Sequence, residues 1–92
     1  MKKKAYKILI VDDDSFILDT LKLALKNTRY TITNATNPLK AYRMIEDTHF
    51  DIVISDILMP EMDGITLLEK IKDYNGMIQV VMMTQEISIN NT

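Results

Sequence analysis

The chain has no cysteine. Disulfides and thiolate metal sites are therefore excluded, and a reducing cytoplasm is compatible. No run approaches the ~18 apolar residues that a membrane helix needs. Neither sign of charge dominates: eleven Lys and Arg stand against thirteen Asp and Glu, a formal net charge of −2. That balance gives no reason to expect nucleic-acid binding. The one histidine, His49, precedes an apolar run and reads as a surface or packing residue. Met1-Lys2-Lys3-Lys4 could open a signal peptide, but the apolar stretch that follows is too short and runs into three aspartates. The lysines fit better as solvating the entry to a first strand. A cytoplasmic location is expected, with no membrane contact. No internal repeat, linker or low-complexity tract is visible.

Ninety-two residues suit one small domain. A domain of this size buries only about 60–65% of the surface its unfolded chain exposes, so its stability margin is thin. The hydrophobic fraction of 47% beside a charged fraction of 26% is a globular balance rather than a disordered one.

Two apolar runs each end in carboxylates. Ile8-Leu9-Ile10-Val11 stops on Asp12-Asp13-Asp14, and Ile52-Val53-Ile54-Ser55 stops on Asp56. Continuous β-branched runs of this length read as strands covered on both faces. Between them the period changes. Phe16, Ile17, Leu21, Ala24 and Leu25 fall at helical spacings, with Asp19, Lys22 and Lys26 on the other side and Asp14 or Ser15 as the cap. Tyr30–Ala35 is a weaker alternating strand. Asn37-Pro38 pairs an N-cap with a proline at the first helical position, opening a helix with Leu39, Ala41, Tyr42, Met44 and Ile45. A third helix begins near Asp63-Gly64 and carries Ile65, Leu67, Leu68 and Ile71, and Ile78–Met83 is a fourth strand. The order βαβαβαβ with short connections implies a parallel sheet with helices on both faces.

In such a sheet the carboxyl ends of strands share one edge, where ligands gather. If the first and third strands are neighbours, Asp12, Asp13 and Asp56 converge. Two charges ~4 Å apart repel by about 1 kcal/mol in bulk water and about 4 at an effective dielectric near 20. Three carboxylates so placed demand compensation, and a hard divalent cation, above all Mg²⁺, supplies it. Simple helix capping accounts for one aspartate but not for the set.

Val11-Asp12-Asp13, the strand ending at Asp56, Met59-Pro60-Glu61-Met62-Asp63-Gly64 and Val80-Val81-Met82-Met83-Thr84 resemble, in order and approximate spacing, the receiver domain of two-component response regulators. The resemblance implies a flavodoxin-like doubly wound α/β sheet with strand order 2-1-3-4. It implies that Asp56 is the phosphoacceptor, taking a phosphoryl group from a sensor histidine kinase or phosphotransfer protein. Asp12, Asp13 and Asp56, with the Leu58 backbone carbonyl, correspond to the Mg²⁺ ligands. Thr84 corresponds to the switch hydroxyl, while Pro60 and Gly64 shape the loop. The activity implied is signalling, with only weak self-phosphorylation and dephosphorylation chemistry, rather than that of an enzyme.

Against the family pattern the sequence stops early, so residues 1–92 are expected to form one incomplete domain of four strands and three helices. Most of the fourth helix, the fifth strand with its lysine, and the fifth helix would be missing. A designed boundary, a natural remnant and a fragment of a longer chain all remain open. Weakened Mg²⁺ binding, impaired stable phosphorylation and switching, and self-association along the fourth strand are the expected consequences. Two rivals remain. A Mg²⁺-dependent phosphatase with an aspartate nucleophile would carry a second acid two residues on, where this chain has Leu58. A non-phosphorylated interaction module or fold fragment would have no need of Asp56.

Overall fold

The computed structural model describes residues 5–26 and 28–83. Within them the chain alternates strand and helix: β1 (Lys7–Val11), α1 (Ser15–Ala24), β2 (Thr31–Ala35), α2 (Pro38–Asp47), β3 (Ile52–Asp56), α3 (Gly64–Tyr74) and β4 (Gln79–Met83). The strands form one sheet in the order β2-β1-β3-β4. Every pairing is parallel, with Leu9 opposite both Thr33 and Val53, and Val53 opposite Val80.

Strand periodicity divides the apolar residues between two layers. Leu9, Val11 and Val53 point to one face and pack with Ala41 and Ile45 of α2 and Leu67 and Ile71 of α3. Ile8 and Ile10 point to the other face and pack with Leu18 and Leu21 of α1 and with Leu25 at its C-cap. The first layer is the larger and holds most of the fully buried side chains. Tyr42 and Tyr74 join α2 to α3 edge-on, their ring centroids 6.2 Å apart.

Three local details differ from the sequence reading. The inward face of α1 is set by Leu18, Leu21 and Leu25, while Phe16 and Ala24 are exposed. Phe16 lies two positions, about 200°, from Leu18 around the helix, so packing one against the sheet turns the other outward. Leu39 and Ile65 likewise sit on the outer sides of α2 and α3. Finally, within the apolar part of β3 only Val53 and Ser55, on the α2–α3 face, are buried. Ile52 and Ile54 are half-buried on the face that α1 covers.

Each helix start is capped as its sequence suggests. The Asp14 carboxylate accepts from the Phe16 amide, Asn37 Oδ1 from Leu39 and Lys40, and Asp63 from Thr66. Among the described residues no helix is long and apolar enough to cross a membrane. Thr84 and the segment after it lie outside the described residues.

Candidate functional site

The register of the sheet builds the site. Val11 of β1 stands opposite Ser55 of β3, so the next residues, Asp12 and Asp56, emerge at the same level at the carboxyl edge. Asp12 extends the β1 pairing by one bond, its amide donating to the Ala35 carbonyl at 3.1 Å. Oxygen atoms of Asp12, Asp13 and Asp56 all lie within 4.8 Å of one another. Asp12 and Asp56 are buried and Asp13 is exposed, so the cluster opens to solvent on one side.

Local bonds orient each carboxylate. Asp12 Oδ1 accepts from the Asp14 amide at 2.9 Å, which ties it to the turn leading into α1. Asp56 Oδ1 accepts from the Leu58 amide at 3.3 Å, which brings the Leu58 backbone beside the cluster. The Leu58 side chain itself is largely exposed. These are oxygen donors without nitrogen or sulfur, the chemistry of a hard cation site. Two unlike strands therefore deliver the three acids to one point, as the sequence expectation required.

Gly64 holds the far end of the loop against the site. Its amide donates to the Ile57 carbonyl at 2.7 Å. A Cβ at this position would overlap the Asp56 carbonyl oxygen and the Met82 Cε, and would sit 2.9 Å from the Ile57 Cα. Only a residue without a side chain lets the start of α3 approach the end of β3 this closely. Pro60 lies exposed on the same loop. At the capping residue Asp63, hydrogen bonds chiefly from the Thr66 backbone N–H, and then from its hydroxyl, hold the carboxyl below its usual range.

His49 is not part of this cluster. Its Nε2 lies 2.9 Å from Asp51 Oδ1, and Asp51 Oδ2 accepts from the Lys7 amide. Lys7 begins β1 and Asp51 precedes β3, so this group occupies the opposite, amino edge of the sheet.

One feature of the loop was not visible in the sequence. Glu61 has φ 72°, the one positive value on a non-glycine residue among those described. The Met62 amide donates to the Pro60 carbonyl at 2.7 Å, closing a γ-turn around Glu61. Glycine or asparagine at this position would have signalled a left-handed residue; glutamate conceals it.

Comparison with known proteins adds an independent line. The family model for the response regulator receiver domain matches residues 8–92. The transcriptional regulatory protein ZraR of Klebsiella oxytoca is 38% identical over 90 residues, covering 98% of this chain and 20% of that protein. The chemotaxis protein CheY of Bacillus subtilis is 38% identical over 79 residues, covering 85% of this chain and 66% of that protein. Among solved structures, a CheY-like receiver domain protein from Methanospirillum hungatei superposes with a TM-score of 0.86 at 34% identity. That match covers 94% of this chain and 69% of the other. The chain thus spans about a fifth of the ZraR length and about two thirds of the Bacillus subtilis CheY and Methanospirillum hungatei chains. A family match over nearly the whole chain, on a sheet of the same topology, shows that this chain belongs to the response regulator receiver domain family.

Proposed function

We propose that this chain is a phosphoacceptor module of two-component signalling, in which Asp56 receives a phosphoryl group from a phosphohistidine on a sensor histidine kinase or phosphotransfer protein. The observation that carries this reading is the convergence of Asp12, Asp13 and Asp56 oxygens within 4.8 Å at the carboxyl edge of the sheet. The donor chemistry suits Mg²⁺, with Asp12, Asp13, Asp56 and the Leu58 carbonyl as the residues that would hold it. When bound, the ion supplies charge neutralisation and alignment of oxygens, the two things phosphoryl transfer chiefly asks of a site.

The chain's own residues do the rest. An Asp56 oxygen attacks phosphorus, a P–O bond forms, and the P–N bond of the donor breaks. The bonding pair leaves with the imidazole nitrogen. The Leu58 amide, 3.3 Å from Asp56 Oδ1, helps orient the carboxylate for that attack. Burial of Asp56 and Asp12 limits water at the nucleophile, while exposed Asp13 leaves the donor a way in. Thr84, as the switch hydroxyl, belongs to the same proposal, as do a cytoplasmic location and self-association along β4, where Val81 is half exposed. The module signals rather than turning over a substrate.

Incubation with acetyl phosphate and Mg²⁺ tests the reading by intact mass. One phosphoryl group should appear on the wild type, depend on Mg²⁺, and be absent from Asp56→Asn. Equal incorporation in the variant would overturn it.

A further inference from the structure

The loop between β3 and α3 carries Leu58, and its tip is tied to a different element through one side-chain pair. Asn37 Nδ2 donates to Glu61 Oε1 at 2.6 Å, across 24 residues of sequence. The same Asn37 caps α2, its Oδ1 accepting from the Leu39 amide at 2.8 Å and the Lys40 amide at 3.1 Å. Glu61 is also the left-handed centre of the γ-turn closed by the Met62 amide on the Pro60 carbonyl. Met59 and Met62 pack partly buried against the core, while Leu58, Pro60 and Glu61 are exposed, so the Asn37 bond is a polar tie at the part of the loop that packing leaves outside. A strained residue persists where its surroundings over-determine it.

We propose that Asn37 and Glu61 form a latch that positions the β3–α3 loop, and with it the Leu58 backbone, for cation binding at the Asp12–Asp13–Asp56 cluster. This rests on the cluster being a Mg²⁺ site. Both are positioning residues. Asn37 is fixed by its two capping bonds, so its amide group presents Nδ2 from a rigid helix start. Glu61, held from outside the loop, keeps the γ-turn closed, and the turn sets the path of the chain from Leu58 to Asp63. Mg²⁺ demands near-ideal octahedral geometry, so a loop free to shift its carbonyl weakens binding even with every carboxylate in place.

The chemistry of the pair gives a test in which charge and latch act in opposite directions. Asn37→Asp keeps a capping oxygen but sets a carboxylate against Glu61, opening the latch. It also adds a negative charge, which by electrostatics alone would tighten cation binding. Glu61→Gln keeps an accepting oxygen for Asn37 Nδ2 while removing a charge, which by electrostatics alone would loosen binding. The double variant Asn37→Asp/Glu61→Gln restores the hydrogen bond in reverse, from the glutamine amide to the new carboxylate.

Mg²⁺ is titrated into the full chain without phosphodonor, by calorimetry and by amide NMR. The expected dissociation constant rises about three- to tenfold in Asn37→Asp, stays within about twofold of wild type in Glu61→Gln, and returns towards wild type in the double variant. The Met62 amide resonance should move with Asn37→Asp and return in the double variant. Tighter binding in Asn37→Asp, or failure of the double variant to recover while still folded by circular dichroism, would overturn the latch. Asp13→Asn serves as the control. If it leaves Mg²⁺ binding intact, the cation site itself is wrong; if it abolishes binding while Asn37→Asp changes nothing, only the latch fails.

Discussion

Replacing Asp13 by asparagine removes one of three negative charges whose carboxylate oxygens lie within 4.8 Å of one another. At that separation each ionised pair repels by about 0.9 kcal/mol in bulk water and about 3.5 kcal/mol at an effective dielectric near 20. Asp13 is exposed, while Asp12 and Asp56 are buried. Its two pairwise repulsions therefore fall toward the lower figure, and Asp13→Asn should stabilise the metal-free chain by about 1–3 kcal/mol. The assay is urea unfolding followed by circular dichroism, in chelator and again in millimolar Mg²⁺. With Mg²⁺ raised to about a hundred times its dissociation constant for the wild type, the wild type should gain about 2.7 kcal/mol and the variant little. The order of stability narrows or reverses when Mg²⁺ is added. An asparagine variant no more stable than wild type in chelator, or an equal gain from Mg²⁺ in both, would refute the reasoning that the acids share one site.

Gly64→Ala should destabilise by about 1–3 kcal/mol in the same unfolding assay, because its methyl would overlap the Asp56 carbonyl and Met82. An unchanged midpoint would mean that α3 does not approach β3 so closely. Leu67→Ala empties a fully buried position under α3 and should lower stability by about 2–5 kcal/mol. The Mg²⁺ dissociation constant should hold, because Leu67 packs within the core rather than at the cluster; a matching loss of Mg²⁺ affinity would contradict that separation. At Asp63, the folded carboxyl lies below its ordinary value. Its contribution is present above the unfolded pKa and is lost as pH falls through the lower folded one. Asp63→Asn, which keeps a capping oxygen but does not titrate, should flatten that acid limb of stability against pH; identical slopes would rule the contribution out.

The architecture could be read from the sequence because its signals are local. Continuous apolar runs at Ile8–Val11 and Ile52–Ser55, the Asn37-Pro38 start and the Asp63-Gly64 start each specify an element through its own residues, and all appear at those places. The convergence of Asp12, Asp13 and Asp56 was legible for a different reason. Parallel strands have a common carboxyl edge, so adjacency of β1 and β3 is enough to bring their terminal acids together. The phase of α1 was less legible. Phe16 is as apolar as Leu18, and only the sheet decides which of them faces inward. The Asn37–Glu61 bond could not be read at all. It joins residues far apart in sequence, through a backbone conformation for which glutamate gives no sign. Local preference thus located the clustered acids, while the loop beside them is tied by contacts that exist only after folding.

The central claim is that Asp56 becomes an aspartyl phosphate. An acyl phosphate is an activated carboxyl that borohydride reduces to an alcohol, whereas an ordinary carboxylate resists it. The chain is treated with acetyl phosphate and Mg²⁺, reduced with borohydride, digested, and sequenced by mass spectrometry. Homoserine in place of aspartate at position 56, and only there, is the predicted result. Homoserine at Asp12 or Asp13 instead, or none at any position in folded, Mg²⁺-loaded protein, would contradict it.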